Sequence, residues 1–162
     1  MLNLPMTDYP RPVFRIERVY DAPRELVYRA WTDPRHMARW WGPQFTSPIC
    51  ALDVRPGGAI RIDMRPQDGT AVTMTGIFRE VVPNERLVFT AYAFQGSPDG
   101  EPGIESLSTI IFAAEGEKTR LSWEEKVISY RPDFMRAIAN GDEGLRDSLE
   151  RLAAYLAGGE LT

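Results

Sequence analysis

Two consecutive helix starts constrain this sequence more than any other feature. Asp21 precedes Pro23, and Thr32 or Asp33 precedes Pro34. In each case an acid or a hydroxyl side chain can cap a helix whose first turn contains a proline. The apolar residues after the first start recur at helical spacing. The sequence therefore predicts two short helices in direct succession.

The second of these helices carries a pair of tryptophans at its end. Met37, Trp40 and Trp41 are spaced i, i+3 and i+4, so they share one helix face. Gly42 can close the helix in a left-handed conformation, and Pro43 prevents its continuation. We expect the tryptophan pair to lie at the edge of a packed interior.

Strands flank the helix pair on both sides. Residues 13–20 alternate apolar and charged side chains, which predicts a first strand. Gly76 is a candidate for a bend or a bulge. Further alternating segments, separated by turns rich in glycine, proline and asparagine, predict six strands at residues 50–54, 60–65, 72–82, 87–94, 107–113 and 119–127.

The tail of the chain predicts one long amphipathic helix. Asp142 can cap it, a shorter helical turn covers residues 134–139, and Gly158 ends it. Its apolar stripe consists of Leu145, Leu149, Leu152 and Leu156. A helix of about 15 residues is roughly 22 Å long, so it covers only part of the concave face of the sheet. The remaining space is either packed with aromatic side chains or left as a pocket.

Several segments together resemble a known family. Residues 21–34, 39–43, 53–58, 75–90 and 148–153 are similar to motifs of the family named after the activator of the heat-shock protein 90 ATPase. That family belongs to the START-like (SRPBCC) helix-grip superfamily of ligand-binding domains. The resemblance covers roughly residues 13–157. Many members carry a tryptophan early in the last helix, where this chain has Leu145.

The resemblance implies an α+β helix-grip fold. A curved antiparallel sheet of about six to seven strands would wrap on the long C-terminal helix, with two short helices after the first strand. We expect one START-like domain over residues 13–158. Residues 1–12 contain three prolines and little pattern, so we expect a loose N-terminal arm.

Composition excludes several classes of partner. The formal net charge of −4 argues against nucleic acid and against docking to anionic membranes. Cys50 is the single cysteine, so no internal disulfide can form, and its alternating apolar surroundings predict a buried, inert thiol. Residues 1–8 lack a basic segment followed by an apolar one, so we expect no signal peptide, and no apolar run approaches the roughly 20 residues of a membrane span. We therefore expect a cytoplasmic protein without a membrane partner.

Few residues are suited to catalysis or metal binding. His36 is the only histidine, and one histidine with one cysteine does not make a zinc site, so we expect neither metal nor cofactor. Glu124 and Glu125 are consecutive on a strand and must point to opposite faces. An inward carboxylate would have a raised pKa and could act as a general acid or base. The alternative is a rim residue paired with an arginine.

Large apolar side chains are the better candidates for a ligand site. Cavities for small molecules are lined by such residues with few polar anchors, although each of them could equally pack the core. We place Trp40 and Trp41 at the entrance. The candidate ligand-binding residues are Trp40, Trp41, Met64, Phe78, Tyr92, Phe112, Trp123, Met135 and Leu149.

Three functional hypotheses follow. The first is a non-catalytic binder of a small hydrophobic or aromatic molecule, in a cavity between the sheet and the C-terminal helix. The second is a co-chaperone-type protein that stimulates the heat-shock protein 90 ATPase, a stress-response role with a chaperone as partner. The third is a cyclase/aromatase-like or hydrolase-like enzyme that uses the same cavity, with His36, Glu124 and Glu125 as catalytic candidates. Both a monomer and a homodimer are compatible with the sequence.

Overall fold

The computed structural model describes residues 11–41, 45–66, 71–96 and 98–159, with backbone alone at 45–49 and 66. Most of the N-terminal arm lies outside these residues, as do Gly42 and Pro43 with the helix stop that we assigned to them. The domain limits of 13–158 stay a prediction.

Seven antiparallel strands form one curved sheet, in the order β1-β7-β6-β5-β4-β3-β2. The predicted α+β helix-grip fold is thereby confirmed. The strands are β1 (Val13–Tyr20), β2 (Phe45–Leu52), β3 (Ala59–Pro66), β4 (Val72–Val82), β5 (Arg86–Gln95), β6 (Ile104–Glu115) and β7 (Lys118–Tyr130).

Four helices are present in the described part of the chain. They are α1 (Arg24–Thr32), α2 (Pro34–Trp40), α3 (Met135–Ala139), which follows a single 3₁₀ turn, and α4 (Gly141–Ala157). None of them is both long and apolar enough to span a lipid bilayer.

One predicted helix cap is confirmed and two are wrong. The Asp33 side chain accepts a hydrogen bond from the backbone N–H of Arg35 and caps α2. Asp21 does not cap α1, because the helix starts later and Pro23 occupies the N-cap position in an extended conformation. Asp142 does not cap α4 but lies inside its first turn, because α4 follows α3 directly and Asn140 connects them. There its charge still favours the positive end of the helix dipole.

Gly76 is not a bulge. It pairs in register with Ile60 on β3 and Ala91 on β5, whereas the ladder irregularity of β4 lies between Phe78 and Glu80. A Cβ at Gly76 would overlap the backbone oxygen of Thr90. The glycine therefore permits a close approach of two strands.

The core lies between one face of the sheet and the helices. Trp31 on α1 is buried at its centre, and its ring meets those of Trp40, Trp41, Phe112 and Trp123 edge-on at centroid distances of 4.9 to 6.4 Å. The buried Tyr20 hydroxyl donates to the backbone oxygen of Leu149 at 3.0 Å. That bond attaches α4 to the edge strand β1.

Candidate functional site

A hollow of about 270 Å³, open to solvent on one side, separates the first half of α4 from the sheet. We call it the inner hollow. Its walls come from the end of α2, from strands β3 to β7 and from α4. The lining residues are Trp41, Met64, Met74, Ala91, Ala93, Ile104, Ser106, Trp123, Glu125, Gly141, Gly144, Leu145 and Ser148.

Small residues on both walls leave this space unfilled. On the sheet side, Ala91 and Ala93 occupy alternate positions of β5 and therefore face the same way. On the helix side, Gly141 packs directly on the ring of Phe14, and a Cβ at Gly144 would meet no atom within 4 Å. Because small residues line both facing surfaces, α4 packs on the sheet without filling the space between them.

Glu125 is the one ionisable side chain among the described residues that line the inner hollow. It follows Trp123 by two positions on β7, so both point inward. Burial raises the pKa of the Glu125 carboxyl, and a hydrogen bond with the Ser106 side chain partly opposes that rise. Its accessible surface is intermediate because it borders the hollow, yet desolvation by the surrounding atoms dominates its ionisation.

Glu124 points to the other side of the sheet. Its carboxylate lies 2.9 Å from Arg15 Nε and 3.7 Å from Lys126 Nζ. Of the two alternatives weighed for this pair, the arginine-paired one describes Glu124 and the inward one describes Glu125.

The structure brings some of the nine candidate ligand residues together and separates the others. Trp41, Met64 and Trp123 line the inner hollow. Four others are buried in the core around it without lining it: Trp40, Phe78, Phe112 and Leu149.

Two of the candidates lie elsewhere. Tyr92 alternates with Ala91 and Ala93 on β5, so its side chain belongs to the opposite face of the sheet. Met135 is 42% exposed on α3 and does not line the hollow. The sequence shows that an aromatic residue or a methionine is large. It does not show whether the side chain faces the hollow or the opposite side of the strand or helix.

Small and polar lining residues escaped the sequence prediction. Ala91, Ala93, Gly141 and Gly144 matter through the volume that they leave, which no apolar periodicity records. Ser106 keeps the regular alternation of β6 with Ser108 and Ile110, and the extra residue of the ladder irregularity beside it, Ile128, belongs to β7. The available signals were this alternation and the two-residue spacing of Trp123 and Glu125.

His36 lies outside the inner hollow. Its Nδ1 atom is 2.6 Å from the Tyr155 hydroxyl, and its Nε2 atom is 3.8 Å from an Asp33 carboxylate oxygen. The imidazole therefore joins α2 to α4. Cys50 is half-buried, and desolvation raises the pKa of its thiol to about 11, which makes it a poor nucleophile. Across the described residues, no cluster of three or more His, Cys, Asp or Glu side chains could hold a metal ion.

A larger groove of about 770 Å³ crosses the opposite face of the sheet. We call it the outer groove. Its charged side chains are engaged with one another, as in the pairs of Arg15 with Glu124 and Arg86 with Glu80. The inner hollow is smaller but mainly apolar, and it contains a carboxyl group that has no such partner among the described lining residues. We therefore take the inner hollow as the candidate site.

Comparisons with known proteins agree with this architecture. A structure from Chromobacterium violaceum is 31% identical, with a TM-score of 0.70, over 88% of this chain and 94% of that one. One from Rhizobium loti is 28% identical, with a TM-score of 0.72, over 90% and 97%. One from Rhizobium leguminosarum is 26% identical, with a TM-score of 0.75, over 91% and 95%. A search of curated proteins finds no significant match.

The model of one family matches residues 21–157, which span both short helices, most of the sheet and α4. The resemblance inferred from the sequence motifs is thereby confirmed. The chain belongs to the family described as Activator of Hsp90 ATPase homolog 1-like protein.

Proposed function

We propose that this protein binds a small hydrophobic or aromatic molecule in the inner hollow. The observation that carries the proposal is an apolar space between sheet and helix, where the described lining has two tryptophans, two methionines and one ionisable side chain, Glu125. Ligand sites are typically concave and apolar, with a few polar groups that orient the ligand.

The size of the hollow limits the ligand. Its volume of about 270 Å³ lies just below the range of roughly 300–1,000 Å³ of drug-sized sites. A molecule of one or two rings fits this scale. Burial of about 300 Å² of apolar ligand surface at ~25 cal/mol/Å² gives a gross gain near 7 kcal/mol. Association costs reduce that gain, so we expect micromolar or weaker affinity.

Binding without catalysis is the simpler function for this lining. General acid–base catalysis needs a side chain positioned within hydrogen-bond reach of the proton that it transfers. Besides Glu125, the described lining offers only the hydroxyls of Ser106 and Ser148 as side-chain polar groups of that kind, and His36 lies outside. An enzyme would therefore have to use Glu125 alone.

An amide NMR titration tests the proposal. The probes are a panel of one-ring and two-ring aromatic alcohols, amines and acids. We expect at least one probe to shift the amides of Trp41, Trp123 and Leu145 together, because these residues surround the inner hollow.

The Gly144→Leu variant tests whether the probes bind in the inner hollow or elsewhere on the protein surface. Its new side chain starts in open space on the wall of the inner hollow, so it should fill the site and abolish the shifts. The matched control is Ala154→Leu on the exposed face of the same helix, which should bind as the wild type does. The proposal fails if no probe binds the wild type, or if binding survives in Gly144→Leu.

The family description suggests the alternative of a chaperone partner. If the probe panel fails, stimulation of heat-shock protein 90 ATPase turnover by the purified chain becomes the next measurement. A rate increase that persists in Gly144→Leu would assign the activity to an outer surface rather than to the inner hollow.

A further inference from the structure

The carboxyl group of Glu125 has no positively charged partner in the part of the inner hollow that the structure describes. No arginine, lysine or histidine is among the lining residues. The side chain that satisfies it is the Ser106 hydroxyl, which is neutral. A buried carboxylate is normally paired with a cation or hydrogen-bonded on both oxygens. This one is left with capacity for a further partner.

The nearest elements do not supply that partner. β1 pairs with β7 next to Glu125, and its inward arginine, Arg18, already forms an ion pair with Glu150 on α4. The adjacent Lys126 approaches Glu124 on the other side of the sheet. Among the described residues of these elements no cation reaches Glu125, so a ligand could supply one.

The rest of the lining is also suited to a cation. Trp41 and Trp123 border the same space, with ring centroids 5.6 Å apart. Tryptophan faces carry negative potential and attract ammonium groups within about 6 Å. An anionic ligand would find no positive side chain here and would face the Glu125 carboxyl. The hollow therefore discriminates between ligands by charge.

We propose that the inner hollow takes a small aromatic or aliphatic amine, with its ammonium group against Glu125 and Ser106 and its apolar part against Trp41 and Trp123. This inference rests on the proposed function and names the class of ligand. Burial raises the pKa of the Glu125 carboxyl, and an ammonium group against its carboxylate form would lower that pKa again.

Three probes of equal ring system test the charge preference: naphthylmethylamine, the neutral naphthalenemethanol and the anionic naphthoate. Isothermal titration calorimetry of the wild-type protein should give the amine at least about tenfold tighter binding than the alcohol, because charge-assisted hydrogen bonds exceed neutral ones. Naphthoate should not bind measurably.

Glu125→Gln and Glu124→Gln form a matched pair on neighbouring residues. Glu125→Gln keeps the shape of the side chain and should remove the advantage of the amine, while binding of the alcohol changes less than about twofold. Glu124→Gln makes the same change on the opposite face and should leave all three affinities as in the wild type. If Glu125→Gln does not fold, the relative affinities of the three probes for the wild-type protein still test the charge preference.

Failure of this inference is distinct from failure of the proposed function. If the alcohol binds as tightly as the amine, or if the amine keeps its advantage in Glu125→Gln, the amine assignment is overturned while the ligand site stands. If naphthoate binds most tightly, the charge argument is overturned in the same way. If none of the three probes binds the wild type, both proposals fail for ligands of this size.

Discussion

Two buried tryptophans in this protein differ in one hydrogen bond. The Trp40 indole N–H donates to the backbone oxygen of Ala30 at 2.9 Å. That oxygen would normally accept from the residue four positions later in the helix, but this residue is Pro34, which has no N–H. The indole N–H of Trp31 is buried and has no partner among the described residues. Trp40 therefore satisfies a helix end, whereas Trp31 contributes only packing.

This contrast predicts unequal effects of the same substitution. Trp31→Phe and Trp40→Phe remove similar apolar area, but only Trp40→Phe leaves a buried carbonyl without a donor. We expect Trp40→Phe to lower the free energy of unfolding by about 1–3 kcal/mol more than Trp31→Phe. Urea denaturation followed by circular dichroism measures both. Equal losses, or a larger loss in Trp31→Phe, would show that the hydrogen bond to Ala30 contributes little.

At the scale of elements, glycines have opposite roles in the sheet and in the last helix. Gly76 lets β4 approach β5 so closely that a Cβ would collide with the backbone at Thr90, which cannot move alone. Gly144 lies within α4 with open space beside it. The first glycine is required by packing, whereas the second leaves room in the inner hollow and weakens its helix.

Alanine at these two positions should therefore change stability in opposite directions. We expect Gly76→Ala to lower the unfolding free energy by about 1–3 kcal/mol through overpacking. Gly144→Ala should raise it by about 0.5–1 kcal/mol, because alanine loses less backbone entropy in a helix. The urea unfolding midpoint of each variant, compared with that of the wild type, gives the sign of the stability change. A Gly76→Ala protein as stable as the wild type would mean that β4 and β5 can separate locally at no cost.

At the scale of the whole molecule, Glu125 connects global stability to pH. In the unfolded chain it ionises near its ordinary pKa of 4.5, whereas burial raises the pKa in the folded state. Between these two values the Glu125 carboxyl is more protonated in the folded protein than in the unfolded chain, so its contribution to stability falls as pH rises. The stabilisation from the neutral carboxyl is complete below about pH 4.5 and is lost as pH rises through the folded-state pKa.

Glu125→Gln removes this dependence. We expect the stability of the wild type relative to Glu125→Gln to decrease as pH rises above about 4.5, with a slope that cannot exceed about 1.4 kcal/mol per pH unit. Chemical unfolding of both proteins at a series of pH values measures the difference. A difference that is constant or that grows with pH would mean that the folded state does not favour the neutral carboxyl.

Most of the fold could be predicted from the sequence with local rules. Alternation defined the strands, and β1 and β4 agree with their predicted limits, while β6 and β7 extend further in both directions. The helix pair was readable because capping and proline geometry act within a few residues. Asp33 does cap α2, whereas Asp21 does not cap α1. The N-cap of α1 lies two residues later, at Pro23, and the Thr119 hydroxyl holds the chain just before it by donating to the backbone oxygen of Ala22.

Sequence by itself determined the family, the α+β architecture and the presence of aromatic side chains in the interior. Only the tertiary structure decided which side chains meet. Tyr92 left the candidate set and Ser106 joined it through strand register, and Glu125 rather than Glu124 turned inward. The physical reason is that an alternating pattern shows that a strand has two faces but not which of them is buried. Which face is buried, and where small residues leave a space, depends on the elements that pack against the strand.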